Sequence, residues 1–282
     1  MADLLPDAFF LPVRGGSLFC LYHAPQGAVM RGRVLHLHPF AEEINTCRRI
    51  SAHFARALSA NGYAVLQFDM HGCSDSSGNF EDTTWNIWLT NAHDALAELN
   101  RRTGTSAAQH DTAPLWLWGV RSGALLSADM LKSLHTPCHL LWWQPVVSGQ
   151  QVLQQWLRLD AAKEWLNQGQ TNKRASTGEQ LQQGQTVHVA GYPITPALAQ
   201  SLKAASLQTA TRPIGADAHL SWMELTASEA DDLPPAVTRH ARIWEDAGWT
   251  VSARGMPCPP FWQQFGDVSS PELVQASLTG MA

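Results

Sequence analysis

The sequence predicts an α/β fold: a mainly parallel central sheet with helices on both faces and a small cap insertion. Strand-like runs alternate with stretches of helical spacing, the rhythm breaks at about residue 148, and it returns after about residue 210. The chain has 282 residues, of which 45% are hydrophobic and 15% charged, enough apolar material for one large core and too much for a disordered protein.

The elements follow in order. Phe9 to Val13 and Ser17 to Tyr22 read as two strands joined by Arg14-Gly15-Gly16, where glycine supplies the backbone freedom a hairpin turn needs. Arg33 to His38 is a strand, Thr46 to Ala60 a helix, and Tyr63 to Asp69 a strand with the apolar character of a sheet centre. Trp85 to Asn100 is a helix with Trp85, Trp88, Leu89, Ala92, Leu96 and Leu99 near helical spacing. Leu115 to Trp118 is a strand, Ala124 to Leu134 a helix and His139 to Trp143 a strand. After the interruption come a strand at His219 to Leu225, a helix at Ala236 to Ala247 and a strand at Thr250 to Gly255. This is one domain over 1–282, with a Gln-rich cap or lid insertion at about 148–210, a flexible loop being the alternative.

Composition narrows the function. With 24 acidic and 19 basic residues the net charge is −5, which offers nucleic acid or an anionic membrane no general attraction. The first residues, Met-Ala-Asp-Leu-Leu-Pro-Asp, lack the basic and apolar regions of a signal peptide, and no later stretch is long and apolar enough to span a bilayer. Five scattered cysteines without a Cys-x-x-Cys pair suit free thiols in a reducing cytoplasm, so the expected location is cytoplasmic.

Ligands of parallel sheets bind beyond the carboxyl ends of the strands, so the loops there should carry the chemistry. Three of them together resemble the α/β-hydrolase superfamily. Asp69-Met70-His71-Gly72-Cys73-Ser74-Asp75-Ser76 resembles its Asp-x-x-Gly-x-x-x-Ser turn, and His36-Leu37-His38-Pro39-Phe40 stands where that superfamily has its oxyanion loop. Leu115-Trp116-Leu117-Trp118-Gly119-Val120-Arg121-Ser122-Gly123 is a strand, a tight Gly-x-x-x-Gly turn and a helix start, the context of a nucleophile elbow. The middle residue is Arg121, which stays protonated and cannot attack a carbonyl. Ser122 is the nearest substitute nucleophile, but moving the frame by one puts Val120 and Ala124 at the two crowded positions, and a plain role at the helix start competes. The loop after the last strand, Gly255-Met256-Pro257-Cys258-Pro259-Pro260-Phe261-Trp262, holds no histidine to act as base. An acid remains available among Glu229, Asp231 and Asp232.

A narrower resemblance covers nearly the whole chain. His38-Pro39-Phe40-Ala41-Glu42-Glu43-Ile44-Asn45 with Arg48-Arg49, the Asp69 to Ser76 turn, Leu117-Trp118-Gly119-Val120-Arg121, Trp143-Gln144-Pro145-Val146-Val147-Ser148-Gly149, Ala190-Gly191-Tyr192-Pro193 and Pro260-Phe261-Trp262 resemble the second type of exosortase A system-associated hydrolases. The resemblance implies an α/β-hydrolase fold, encoded beside bacterial exopolysaccharide and exosortase genes, with the elbow arginine as a habit of the family.

Two functions are then expected, of different class. One is a hydrolase or transferase with a rearranged site, acting on an ester, thioester or glycan-linked acyl group, using Ser122 or a bound water as nucleophile, His38 or another nearby histidine as base and Arg121 beside them. The other is a catalytically silent protein that binds a ligand or a pathway partner. Arg121 at a helix N-terminus opposes the helix dipole and should seek an anion. That anion could be Glu42 or Glu43 in a structural pair. It could instead be a carboxylate, phosphate or acyl carbonyl held with the backbone amides near Pro39, Phe40 and Ser122. The expected partner is a small acyl, glycan or anionic ligand, with a homodimer or pathway protein also open. Neither nucleic acid nor membrane insertion is expected, and no cofactor.

Other features have plain readings. His36 and His38 share a strand face, without a third ligand spaced for a metal, so none is expected. Cys73 reads as a small hydrophobe, Asp75 and Ser76 as turn residues. Trp142, Trp143, Trp222, Trp262 and Phe261 suit either core packing or a sugar or acyl pocket.

Overall fold

The N-terminal hairpin pairs β1 (Asp7–Val13) with β2 (Gly16–His23), Val13 opposite Gly16 across a turn in which Gly15 takes φ 94°. The computed structural model describes residues 5–104, 113–167, 176–215, 217–226, 233–264 and 269–281, and from 159 to 167 the backbone alone. Glu229, Asp231, Asp232 and the Gln-Gly-Gln-Thr-Asn-Lys run lie outside the described residues.

Six further strands join the hairpin in one eight-stranded sheet. They are β3 (Gly32–Leu37), β4 (Tyr63–Phe68), β5 (Leu115–Val120), β6 (Cys138–Trp143), β9 (His219–Thr226) and β10 (Thr250–Pro257), and the order is β1-β2-β4-β3-β5-β6-β9-β10. From β4 to β10 all neighbours run parallel, while β1 and β2 are antiparallel, so the sheet is mainly parallel as expected. The central strands β3 and β5 are buried at every position, as strands covered on both faces must be.

Two apolar clusters fill the two faces. Helix α1 (Glu42–Ala60) and α8 (Pro271–Gly280) cover Trp116, Trp118, Leu141 and Trp143 on one side. Helices α2 (Trp85–Thr103), α3 (Gly123–Met130) and α7 (Pro235–Asp246) cover Leu35, Leu117, Leu140 and Trp142 on the other.

Three helices differ from the sequence reading. Helix α1 starts at Glu42 rather than Thr46, because Ala41 at φ 56° turns the chain straight into the helix and Glu42 and Glu43 suit its positive end. The polar run Glu42-Glu43 hides that first turn from a search for apolar periodicity. Helix α3 stops at Met130, and the expected stretch to Leu134 is a tighter turn, with Lys132 N donating to Asp129 O and Ser133 N to Met130 O. Helix α8 was absent from the reading, although Ser270-Pro271 is an N-cap followed by a proline at the first helical position; Ser270 Oγ accepts from Leu273 N at 3.4 Å.

Between β6 and β9 the chain forms α4 (Gly149–Asn167), α5 (Thr177–Gln182), a short hairpin of β7 (Val187–Val189) and β8 (Tyr192–Ile194), and α6 (Pro196–Lys203). Its two ends are stitched together by a bridge between Ser148 and Ser206, with Gly149 N donating to Ala205 O and Leu207 N to Val147 O, both at 2.9 Å.

Candidate functional site

Strand β5 ends in a turn that depends on two glycines. A Cβ on Gly119 would stand 2.6 Å from Ala124 Cα, and one on Gly123 would run into the carbonyl of Leu37. Between them Arg121 adopts φ 53°, a left-handed conformation that a non-glycine residue accepts only when its surroundings impose it. Here they do: Arg121 N donates to Trp143 O at 2.9 Å, and Arg121 O accepts from Ala124 N and Val146 N. The side chain is thereby raised above the carboxyl edge of the sheet at the head of α3.

Three groups hold the guanidinium there. Glu43 accepts two bonds, from Nη2 at 3.1 Å and from Nε at 3.3 Å, and Gln144 O accepts from Nη1 at 3.3 Å. The indole of Trp262 lies against its face, ring centre 4.6 Å from Cζ. Of the two acidic residues considered as its partner, the structure selects Glu43. Trp262 comes from the loop after β10, whose run from Gly255 to Trp262 contains no histidine.

A second ring of bonds supports this cluster. Gln144, itself at φ 43°, donates from Nε2 to Glu224 Oε1 at 3.1 Å and accepts at Oε1 from Leu225 N; Trp222 Nε1 donates to Glu224 Oε2 at 3.0 Å. Burial raises the Glu224 carboxyl above its ordinary range, although neutral donors and nearby Arg121 oppose the rise. The sequence reading gave no role to Glu224, which lies within a strand without a motif of its own, or to Gln144, which stood only as part of the Trp143 to Gly149 run.

Beside Arg121 opens a cleft of about 850 Å³. Glu42, Glu43, Trp262 and Gln263 line it from the sheet side, and Gln155, Trp156, Val189 and Tyr192 from the α4–β8 segment. Trp156 had no signal that could single it out, because only the folding of that segment brings it over the sheet edge, and Tyr192 stood out only as part of the Ala190-Gly191-Tyr192-Pro193 run, without a role.

The other expected site residues lie elsewhere. Ser122 is 2% exposed at the head of α3, and among the described residues no hydrogen bond joins it to a histidine. His38 is buried with both ring nitrogens committed: Nδ1 donates to Pro39 O, and Nε2 accepts from Met70 N at 3.2 Å. Burial pushes its pKa below the usual histidine value, with Asp69 opposing, and the bond from Met70 uses the lone pair a base would need. Pro39 is buried, and Phe40 packs among Trp85, Trp88 and Trp156. Trp142, Trp143, Trp222 and Phe261 are core, leaving Trp262 as the one of those five that lines the cleft.

The Asp69 turn is a self-contained knot. Asp69 Oδ1 accepts from Arg48 Nη2 at 3.1 Å, Ser76 Oγ donates to Asp69 O at 2.5 Å, and Phe19 N donates to Ser76 Oγ at 2.9 Å. Cys73 is buried there, its thiol pushed up to about 12 by loss of water, which makes it an inert hydrophobe rather than a nucleophile.

Comparison with solved structures decides the fold. Est1E of Butyrivibrio proteoclasticus, solved with ferulic acid bound, superposes with a TM-score of 0.58 at 14% identity, over 97% of this chain and 96% of that one. The chain has the α/β-hydrolase fold. Similar to this α/β-hydrolase-fold chain are also an α/β serine hydrolase without a lid from Xanthomonas campestris (TM-score 0.53, 18% identity, 98% and 93% covered) and a monoglyceride lipase of Saccharomyces cerevisiae solved with a substrate analogue (0.57, 15%, 90% and 87%). No family model and no curated protein matches the sequence. In α/β-hydrolase terms, Arg121 stands at the apex of the strand–turn–helix, and the loop after the last strand delivers Trp262 to it.

Proposed function

We propose that this protein uses the α/β-hydrolase fold to bind a ligand in the cleft beside Arg121, without serine-esterase chemistry at the elbow. The observation that carries this reading is the two-point bond between Arg121 and Glu43 beneath Trp262: a guanidinium, which cannot attack a carbonyl, stands where the nucleophile would be, an indole stands where the histidine would be, and the nearby carboxylate is tied to the guanidinium. The α4–α6 segment is a cap, since its side chains complete the cleft wall.

Because Glu43 neutralises Arg121, the cleft has little positive charge left for an anion, and Glu42 adds a second carboxylate to its wall. Aromatic faces at Trp156, Tyr192 and Trp262, with amides at Gln155 and Gln263, suit a neutral polyhydroxylated ligand of the glycan class. The resemblance to exosortase-associated proteins supports a cytoplasmic role in exopolysaccharide production or protein sorting, as a binding protein of that pathway.

The test pairs chemistry with binding. Purified protein is exposed to a fluorophosphonate probe and short p-nitrophenyl and thioester acyl substrates, and its tryptophan fluorescence is titrated with neutral oligosaccharides. The expected result is no labelling, no turnover above buffer, and a saturable fluorescence change that Trp262→Ala removes. Labelling that disappears in Ser122→Ala would overturn the reading in favour of a displaced esterase.

A further inference from the structure

A second cavity, of about 300 Å³ and so at the small end for a ligand pocket, sits between α1 and the strands β2, β4 and β3. Phe19, Leu21 and Ile44 give it an apolar lining. The charged side chains in its wall are already engaged. Arg48 donates to Asp69 Oδ1 at 3.1 Å and to Ser74 Oγ, and Arg49 is not free either. No counter-charge is therefore left over for an ionic ligand.

Two neutral polar groups in the wall are unused. His36 Nε2 and Ser51 Oγ are buried, their residues 4% and 1% exposed, and no atom of the described residues bonds to either. The protonation of His36 follows from its neighbours. His23 Nε2 donates to Gln67 Oε1 at 3.1 Å, so the Gln67 amide nitrogen faces His36 and donates to Nδ1 at 3.5 Å. Burial holds both histidines below their ordinary pKa and keeps them neutral at pH 7, which puts the one ring proton of His36 on Nε2. The cavity thus offers an N–H and an O–H. Nearby His38 adds nothing, because its ring is committed to Pro39 and Met70.

We infer that this cavity is a binding site for a small neutral molecule with an alkyl body and a carbonyl oxygen, the oxygen accepting from His36 Nε2 and Ser51 Oγ and the alkyl body lying against Phe19, Leu21 and Ile44. A buried donor demands an acceptor, two donors match the two lone pairs of one carbonyl oxygen, and a carbonyl brings no proton of its own to be satisfied. An ionised carboxylate would have to leave water for a wall whose arginines are already engaged, which opposes its entry. The site shares no lining residue with the Arg121 cleft, so the proposal does not rest on the function assigned to that cleft.

Heptan-2-one is the probe, titrated calorimetrically into the full-length protein at pH 7, with heptanoate as its charged comparator. The expected outcome is saturable binding of the ketone, at least about tenfold tighter than heptanoate and weakened about tenfold in Ser51→Ala and in His36→Phe, which keeps a ring against Trp118 but no N–H. Ala52→Trp, which fills the cavity from α1 while keeping both donors, should abolish binding with the fold intact by circular dichroism. Heptanoate binding as tightly as the ketone would overturn the neutral assignment, and unchanged affinity in both Ser51→Ala and His36→Phe would overturn the role of the two donors. No binding by the wild type, or unchanged binding in Ala52→Trp, would overturn the site, and so would loss of binding in Trp262→Ala, which alters only the other cleft.

Discussion

Arg121 is held by Glu43, by Gln144 O and by the Trp262 ring, and these contacts differ in what their loss should cost. Removing one member of a fully buried ion pair costs roughly 3–5 kcal/mol, but the Glu43 side chain is 22% exposed and water would partly replace it. Glu43→Ala should therefore destabilise by about 2 kcal/mol. Trp262→Ala, losing the cation–π contact, should cost about 1 kcal/mol. Urea unfolding at pH 7 measures both, and a Glu43/Arg121 double-mutant cycle with no coupling would show that the pair contributes nothing. Arg121→Ser should still fail to react with a fluorophosphonate, because among the described residues no histidine bonds into that turn. The Gly-x-x-x-Gly frame and the arginine at its centre were legible in the sequence. The choice of Glu43 over Glu42 was not, since adjacent helix residues point about 100° apart and only the position of the α1 axis decides which one meets the guanidinium.

At the scale of elements, the approach of α3 to β3 rests on Gly123. Adding a methyl there forces the Leu37 carbonyl aside, so Gly123→Ala should lose at least about 2 kcal/mol, read from the urea midpoint. The opposite, amino-terminal edge of the sheet predicts a pH dependence. His139 on β6 stacks on Trp116, its Nδ1 accepts from His219 N at 3.2 Å, and burial lowers its pKa to about 4. Between about 6.5 and about 4 the unfolded chain binds a proton at this site that the folded chain refuses. Stability therefore falls as pH falls through that window. His36 and His38, also depressed, act in the same direction, while Glu224, raised by burial, stabilises the fold at the acid end of its own shift and so opposes them. The urea midpoint should drop from pH 7 to pH 5, and His139→Gln, which keeps an acceptor but does not titrate, should flatten the slope. An unchanged slope would remove His139 from the account.

At the scale of the molecule, the α4–α6 segment is closed at its base by the Ser148–Ser206 bridge and joins the main apolar cluster through Leu198 and Leu202, while three contacts lay it over the sheet edge. Phe40 meets Trp156 at 5.5 Å between ring centres, Phe80 meets Tyr192 at 5.2 Å, and Trp85 N donates to Ser201 Oγ at 3.2 Å. It should open without unfolding the sheet. Amides of α6 are expected to exchange through openings at least about 2 kcal/mol less costly than those of β3 and β5, measured by native-state hydrogen exchange. Equal protection would mean that this segment and the sheet unfold as one unit.

Order, type and parallel direction of the main elements followed from the sequence alone, because each strand and helix is dictated by short-range periodicity and by glycines at turns that tolerate no Cβ. The absence of a histidine after the last strand was equally plain. What replaces it was not: Trp262, Glu43, Gln144 and Glu224 are far apart in the chain and meet only at the carboxyl edge of the sheet. The same holds for the cleft, whose wall from the α4–β8 segment has no periodic signature. Local sequence determines which way the backbone runs, whereas the partner of a buried charge depends on side chains brought together from distant positions, and only the packed sheet edge decides among them.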